Sequence, residues 1–232
     1  MKKINYKSEF HLDDPRRTIE HGEIIKNKPF LRRIYIDWYS EFIRCTNEIP
    51  DGKILEIGSG GGFLKELLPQ VITSDVLELP NCDMTFSAEK LPFEKEELSA
   101  IFMINVLHHI PDPENFFNEA NLKLIYKNFH HEAFDEKASW KLNSIGPLSS
   151  SNQALPSIIF ERDRIVFNQK YPKLQILRLK YHTPFRYILS GGVSKKPLLP
   201  YFTYPIISKF EKLLQPINKL IGMFMTIEIE KK

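Results

Sequence analysis

The chain is poor in several things, and each shortage excludes something. It has only two cysteines, Cys45 and Cys82, both in apolar segments, which leaves no disulfide framework and fits a reducing compartment. Its formal net charge is only +3, with no arginine-rich run and no face of interleaved basic and aromatic residues, so nothing in it matches a nucleic-acid backbone. No uncharged apolar run approaches the ~20 residues of a membrane span. The opening Met1–Lys7 lacks the apolar core of a secretory leader. There is no internal repeat. Together these absences predict a cytoplasmic, soluble protein. What remains, 42% hydrophobic and 26% charged residues in 232, suits one large globular domain or a domain with an appendage, able to bury ~70% of its unfolded surface.

Glycine is scarce too, yet four of the ten glycines stand between Gly58 and Gly62. The apolar stretch Lys53–Ile57 before them reads as a buried parallel strand, and Phe63–Leu68 after them begins a helix. Strand, glycine turn and helix in that order bring backbone N–H groups close to a ligand. A second short strand, Val71–Asp75, ends in a carboxylate thirteen residues after Gly62. An acid there can accept hydrogen bonds from both hydroxyls of a ribose. Further strands are expected at about Asn81–Phe86 and Ala100–Ile104, and a helix from Pro113 to Ala120 with proline in its first turn. This alternation is the rhythm of a doubly wound α/β sheet.

Upstream, the first ~28 residues are polar and read as an arm outside the core. Leu31, Ile34, Trp38 and Phe42 recur at helical spacing over Phe30–Ile43, and Pro50-Asp51-Gly52 turns the chain into the first strand. Tyr35, Trp38 and Tyr39 suit either helix packing or an acceptor-binding wall. Downstream, Ser149–Asn152 is a loop, Ile158–Phe167 is helical, and Leu174–Lys180 and Met223–Ile229 are strands, an antiparallel pair at one sheet edge. Between them Ile206, Phe210, Leu213, Leu214, Ile217 and Ile221 form an apolar helical face interrupted by Pro216. Residues 195–232 hold seven lysines and three glutamates. That face either covers the sheet edge or meets an anionic membrane or a lipid-linked acceptor.

Glu56–Gly62, Asp75, Ser87–Phe93 and Phe102–Pro111, in this order over residues 53–120, resemble the class I S-adenosylmethionine-dependent methyltransferases, in particular the ubiquinone-biosynthesis-like group, methyltransferase type 11. The resemblance implies a Rossmann-like, mostly parallel sheet, with residues 1–50 an arm and helix over the site and 51–232 the catalytic domain, its cap or edge elements starting near 124. It implies S-adenosylmethionine as cofactor and a small-molecule or lipid-linked acceptor. Glu56 would then lie near the methionine amino group, with the Gly58, Ser59, Gly60 and Gly62 backbone under methionine and ribose. Asp75 would take the ribose hydroxyls, and Val76 would lie against adenine. The turn Ser87, Ala88, Glu89 would approach the adenine edge, and Asn105 would line the passage to the acceptor.

Two departures from the family stand out. Ser87 replaces an aspartate common in relatives. After Phe116–Ala120 the chain runs directly through Asn121–Tyr126, some twenty residues short of the family pattern. The fifth strand is therefore expected to be shortened, with Leu122, Leu124 and Tyr126 as its substitute, or missing. A missing strand would favour a second reading, a cofactor-binding but inactive relative. A third reading, a nicotinamide-dependent oxidoreductase, is disfavoured because Phe63 stands where the last glycine of that fingerprint belongs. As base, His108, His109 and His131 are the candidates, each against an ordinary packing or capping role. His130, His131, Glu132 and Asp135 lack metal-ligand spacing, so no metal is expected.

Overall fold

The computed structural model describes residues 6, 8–119, 123–127, 134–143 and 145–232. Among these, the strands β1 (Lys53–Ile57), β2 (Val71–Asp75), β3 (Met84–Thr85), β4 (Leu98–Ile104), β5 (Lys123–Lys127), β6 (Leu174–His182) and β7 (Phe224–Lys231) make one seven-stranded sheet of order β3-β2-β1-β4-β5-β7-β6. The first five strands pair in parallel, and β7 runs antiparallel between β5 and β6. The central strands alternate between two cores, as period-2 side chains covered on both faces must. Leu55, Ile57, Ile101 and Met103 point into one, shared with Phe116, Phe160 and Phe167. Ile54, Ala100 and Phe102 point into the other, filled by α2 (Pro29–Thr46). There Phe42 stacks on Phe102 with ring planes 1° apart and centroids 4.5 Å apart.

Both early strands coincide with the sequence reading, whereas several other expectations need correction. Of the two readings of the fifth strand, the shortened substitute holds and the gap does not. β5 begins just four positions after the end of α4 (Pro113–Glu119), pairs with β4 from Ala100↔Lys123 to Ile104↔Lys127, and carries β7 on its other side. What this chain omits is the connection, and the ladder closes because a five-residue strand matches β1 and β2 in length. Leu122, named as part of the substitute strand, lies outside the described residues. β3 is only two residues long, and the helix after the glycine loop, α3 (Leu64–Leu67), is a single turn.

The N-terminal segment is no mere arm. Asp14 caps α1 (Pro15–Asn27) by accepting from Arg16 N at 2.9 Å, Pro15 opens its first turn, and Ile24 and Ile25 are buried in the second core. The late apolar face also differs from a lid on the sheet edge. The chain there is broken into α8 (Tyr204–Leu213), a 3-10 turn at Gln215–Ile217 and α9 (Asn218–Ile221), with Ile206, Phe210 and Leu213 exposed.

Candidate functional site

The connections after β1 and β4 leave in opposite directions, so the sheet opens a crevice at the carboxyl ends of these strands, the switch point where α/β proteins bind ligands. A hollow of about 410 Å³ lies there. Its floor is the glycine loop. Gly58 and Gly60 have φ of 68° and 48°, left-handed values that favour glycine. Gly60 N donates to Asp75 Oδ2 at 2.9 Å, and Asn81 Nδ2 donates to the Gly60 carbonyl at 2.9 Å. The loop thus takes its shape from the end of β2. From above, α1 presses backbone to backbone on it: a Cβ on Gly61 would lie 2.4 Å from Gly22 N.

Two buried carboxylates face this region, and they differ in partners. Asp75, 6% exposed, also accepts from Leu77 N at 3.0 Å through Oδ1. Burial raises its pKa, and these N–H bonds oppose the rise without cancelling it. Glu56 is 3% exposed, and its Oε2 has no hydrogen-bond partner among the described residues. Burial pushes its carboxyl up to about 7, with a Ser59 hydrogen bond opposing and the Asp75 charge adding to the rise. An orphaned acid oxygen in a protein interior is costly.

The remaining sequence-named residues gather around the same hollow. Val76, Ser87, Ala88, Glu89, Asn105 and His109 line it. Glu89 N donates to Ser87 Oγ at 3.3 Å, and Glu89 Oε1 accepts from Asp112 N at 3.0 Å, tying this turn to the segment after β4. Asn105 holds a left-handed φ of 57°, a value asparagine tolerates better than most residues. Ser59 and Gly62 border a smaller cavity of about 120 Å³ that shares Gly58, Gly60 and Asn105 with the first. His108 is fully buried beneath His109, with ring centroids 4.2 Å apart. His130, His131 and Glu132 lie outside the described residues. Trp38 belongs to the core, against Phe224 and Tyr187.

Sequence reasoning missed the residues that α1 and the loop before α5 (Leu155–Ser157) bring in. Thr18 lines both cavities, and His21, with Tyr35 and Tyr39, lines the smaller one beside Glu56. Burial, helped by Arg17, pushes the His21 imidazole down to about 4, so it is neutral at neutral pH. Opposite the glycine loop, Gly146–Leu148 form the wall. Asp13 holds them there: Leu148 N and Ser149 N donate to its Oδ1 at 2.6 and 2.9 Å, and Ser149 Oγ donates to Oδ2 at 2.7 Å. The one sequence signal for this was Asp13-Asp14-Pro15, a helix-start signature that polar composition obscured. A separate cluster, Cys45, Glu48 and Glu228, brings ligand-type atoms within 4.8 Å. The Arg44 guanidinium already pairs with both glutamates there, at 2.7 and 3.1 Å.

A glycine loop, a terminal acid on the second strand and a hollow at the switch point are the features of a nucleotide-type site in a doubly wound α/β protein. Comparison with known proteins makes the class specific. Residues 55–125 match the family model described as a methyltransferase domain. No curated protein matches the chain by sequence. Among solved structures, a chain of the Haloferax volcanii complex between the Trm112 methyltransferase activator and a methyltransferase aligns with TM-score 0.51 at 9% identity, covering 96% of this chain and 98% of that one. Geranyl diphosphate C-methyltransferase of Streptomyces coelicolor aligns with TM-score 0.48 at 12% identity, over 98% and 90% of the two chains. A Thermotoga maritima S-adenosylmethionine-dependent methyltransferase gives 0.46 at 15% identity, over 94% of each chain. Residues 55–125 thus carry a methyltransferase domain, an enzyme domain whose cofactor is S-adenosylmethionine.

Proposed function

We propose that this chain transfers the methyl group to a small-molecule or lipid-linked acceptor in the cytoplasm, and that Glu56, the Gly58–Gly62 loop and Asp75 hold the cofactor. The observation that carries the assignment is the unpartnered, buried Glu56 Oε2 beside a loop of left-handed glycines. An α-ammonium is the complement it lacks. Asp75 spends one lone pair of each oxygen on backbone N–H groups and keeps the others for ribose hydroxyls. Val76 and Ala88 offer apolar surface to adenine, while Ser87 and Glu89 offer acceptors at its edge. The described residues therefore fit the group.

The bound cofactor supplies an already activated methyl on a sulfonium centre. The protein's share is alignment, exclusion of water and, for an oxygen or nitrogen acceptor, removal of a proton. Asn105 lies between the two cavities and suits the passage from cofactor to acceptor. Of the three candidate histidines, His109 is the one that faces the larger hollow, beside Ile110 and Pro111, and we assign it the acceptor side. His108 supports it from below. The inactive-relative reading loses its motive, since β5 is in place.

Calorimetric titration with S-adenosylmethionine, S-adenosylhomocysteine and a nicotinamide dinucleotide tests the site. Binding of the two adenosyl compounds alone is expected, and binding of the dinucleotide alone overturns the assignment. Radiolabelled methyl transfer into a cell extract, separated into aqueous and organic phases, tests the acceptor class. Label found only in protein or nucleic acid would refute it.

A further inference from the structure

Within the stretch from Phe185 to Gly222, the segment from Phe202 to Leu220 carries an apolar face outside. Phe202, Ile206, Phe210, Leu213, Ile217 and Leu220 repeat at a step averaging the 3.6 residues of a helical turn, and all six are exposed, Leu213 at 78% and Leu220 at 86%. The side that faces the body is fixed by polar bonds, with Ile207 packed on the second core beside them. Tyr204, Glu211 and Asn218, seven residues apart, are its buried anchors. Tyr204 Oη donates to Asp37 Oδ2 at 2.7 Å, and Asn218 Nδ2 donates to the Tyr181 carbonyl at 3.1 Å. Glu211 accepts from Phe185 N and Arg186 N at 2.8 and 2.7 Å and is paired with the Arg186 guanidinium. A helix on a water-facing surface turns its apolar stripe to the core. Here polar bonds fix the segment so that the stripe points away, extended by the exposed Ile188 and Leu198. So many exposed large apolar side chains on one segment mark an interaction surface.

The charge around the stripe is of one sign. Lys195, Lys196, Lys209, Lys212 and Lys219 are exposed, and the single acid between 185 and 222 is the buried, neutralised Glu211. On the flank, Lys209 and Lys212 share with Lys180 and Arg33 a hollow of about 690 Å³, whose acids, Asp37 and Glu41, are already paired with arginines. We propose that this stripe and its lysines seat the enzyme on an anionic phospholipid bilayer, the apolar side chains entering the acyl boundary and the lysines meeting headgroup phosphates. A second copy is a poor occupant: a two-fold contact would set five lysines against five with no exposed carboxylate across. The membrane surface does not rest on the assignment of the cofactor site.

The test is co-sedimentation of the full chain with vesicles of phosphatidylglycerol and phosphatidylcholine, against pure phosphatidylcholine, at low and high salt. Binding to the anionic vesicles is expected, at least about tenfold weaker on neutral ones or in high salt, given five surface lysines. Leu213→Asp with Leu220→Asp, at the two most exposed positions, should abolish binding while the melting temperature holds. Lys209→Glu with Lys212→Glu should weaken it without touching the stripe. A folded wild type that ignores anionic vesicles refutes the proposal. So does undiminished binding by the double aspartate variant, or a wild-type dimer, seen by light scattering, that this variant dissolves. Cofactor titration of the same sample reads the methyltransferase site separately.

Discussion

Two glutamates of this chain are almost equally buried, and their surroundings are opposite. Glu211, 4% exposed, is saturated by two backbone N–H groups and an arginine. Glu56, 3% exposed, keeps an oxygen with no hydrogen-bond partner among the described residues, near the end of β1 beside a loop whose Gly60 amide is tied to Asp75. A fold that needs a buried acid surrounds it. A site that needs one leaves it short by one cation. The first glutamate helps turn an apolar stripe outward, and the second is the one we propose for the cofactor's ammonium, so one pair of residues contrasts architecture with chemistry.

The largest expected effect comes from breaking the saturated side. Glu211→Ala leaves the Phe185 and Arg186 N–H groups unsatisfied and takes one of its two carboxylate partners from the Arg186 guanidinium, Asp37 remaining, and should cost ~2–4 kcal/mol, the scale of lost buried bonds to a charged group. Urea denaturation measures it. Glu56→Gln should do the reverse: stability at neutral pH unchanged or raised, because the native state no longer holds an unpaired acid, and cofactor affinity lower by ~1.5–3 kcal/mol, the scale of a lost bond to a charged group. If both variants lose stability alike, the distinction between the two acids fails.

Asp75→Ala sharpens the contrast from the other carboxylate of the site. It should weaken cofactor binding by ~1–3 kcal/mol in calorimetric titration. Because Asp75 also holds the Gly60 amide, a stability loss of about 1 kcal/mol should accompany it, unlike Glu56→Gln. Unchanged affinity would remove Asp75 from the site.

Glu56 also predicts a pH dependence. Its native carboxyl titrates near 7, against 4.5 for the ordinary group. Between these values the native state binds more protons than the unfolded chain, so stability of the free protein should fall as pH rises from about 4.5 to 7 and level off above. An ammonium beside Glu56 favours the ionised form, so binding should release a proton below pH 7. Affinity should then rise roughly tenfold from pH 6 to pH 8. Titrations in buffers of different ionisation enthalpy count that proton; zero release at pH 6 would contradict the contact.

Where sequence and structure agree, the signal is local and strong. β1 and β2 lie where a glycine turn and a terminal acid bracket short apolar runs, and the residues we propose for the cofactor sit on those same strand ends. Where they part, the information is relational. β5 carries no turn signal before it, and its identity comes from the register Ile101↔Leu124 with a neighbour. The stripe 202–220 has a helical period, but period does not say which side meets the body; the polar anchors Tyr204, Glu211 and Asn218 do. α1 reaches the glycine loop through Gly22, a residue with no side chain to leave a hydrophobic trace.

That N-terminal clamp gives the smallest expected effect. Burial raises the Asp13 carboxyl, but the Leu148 and Ser149 amides and the Ser149 hydroxyl outweigh it and leave it below its ordinary 3.8. A lowered acid contributes stability that is present above the unfolded value and is lost as pH falls through the folded one, so the clamp on residues 146–149 should hold at neutral pH and release only below about 4. Asp13→Asn at pH 7 removes the charge and keeps the shape, and should cost ~1 kcal/mol, the worth of one of its bonds. Hydrogen exchange at the Leu148 and Ser149 amides reads it directly. Faster exchange confined to these amides, with β1 and β2 unchanged, is the expected result, since the wall of the hollow is tied on by Asp13 while its floor is part of the sheet. Equal acceleration in the strands would mean that wall and floor are one cooperative unit, and that the polar ties around this hollow hold up the fold as Glu211 does.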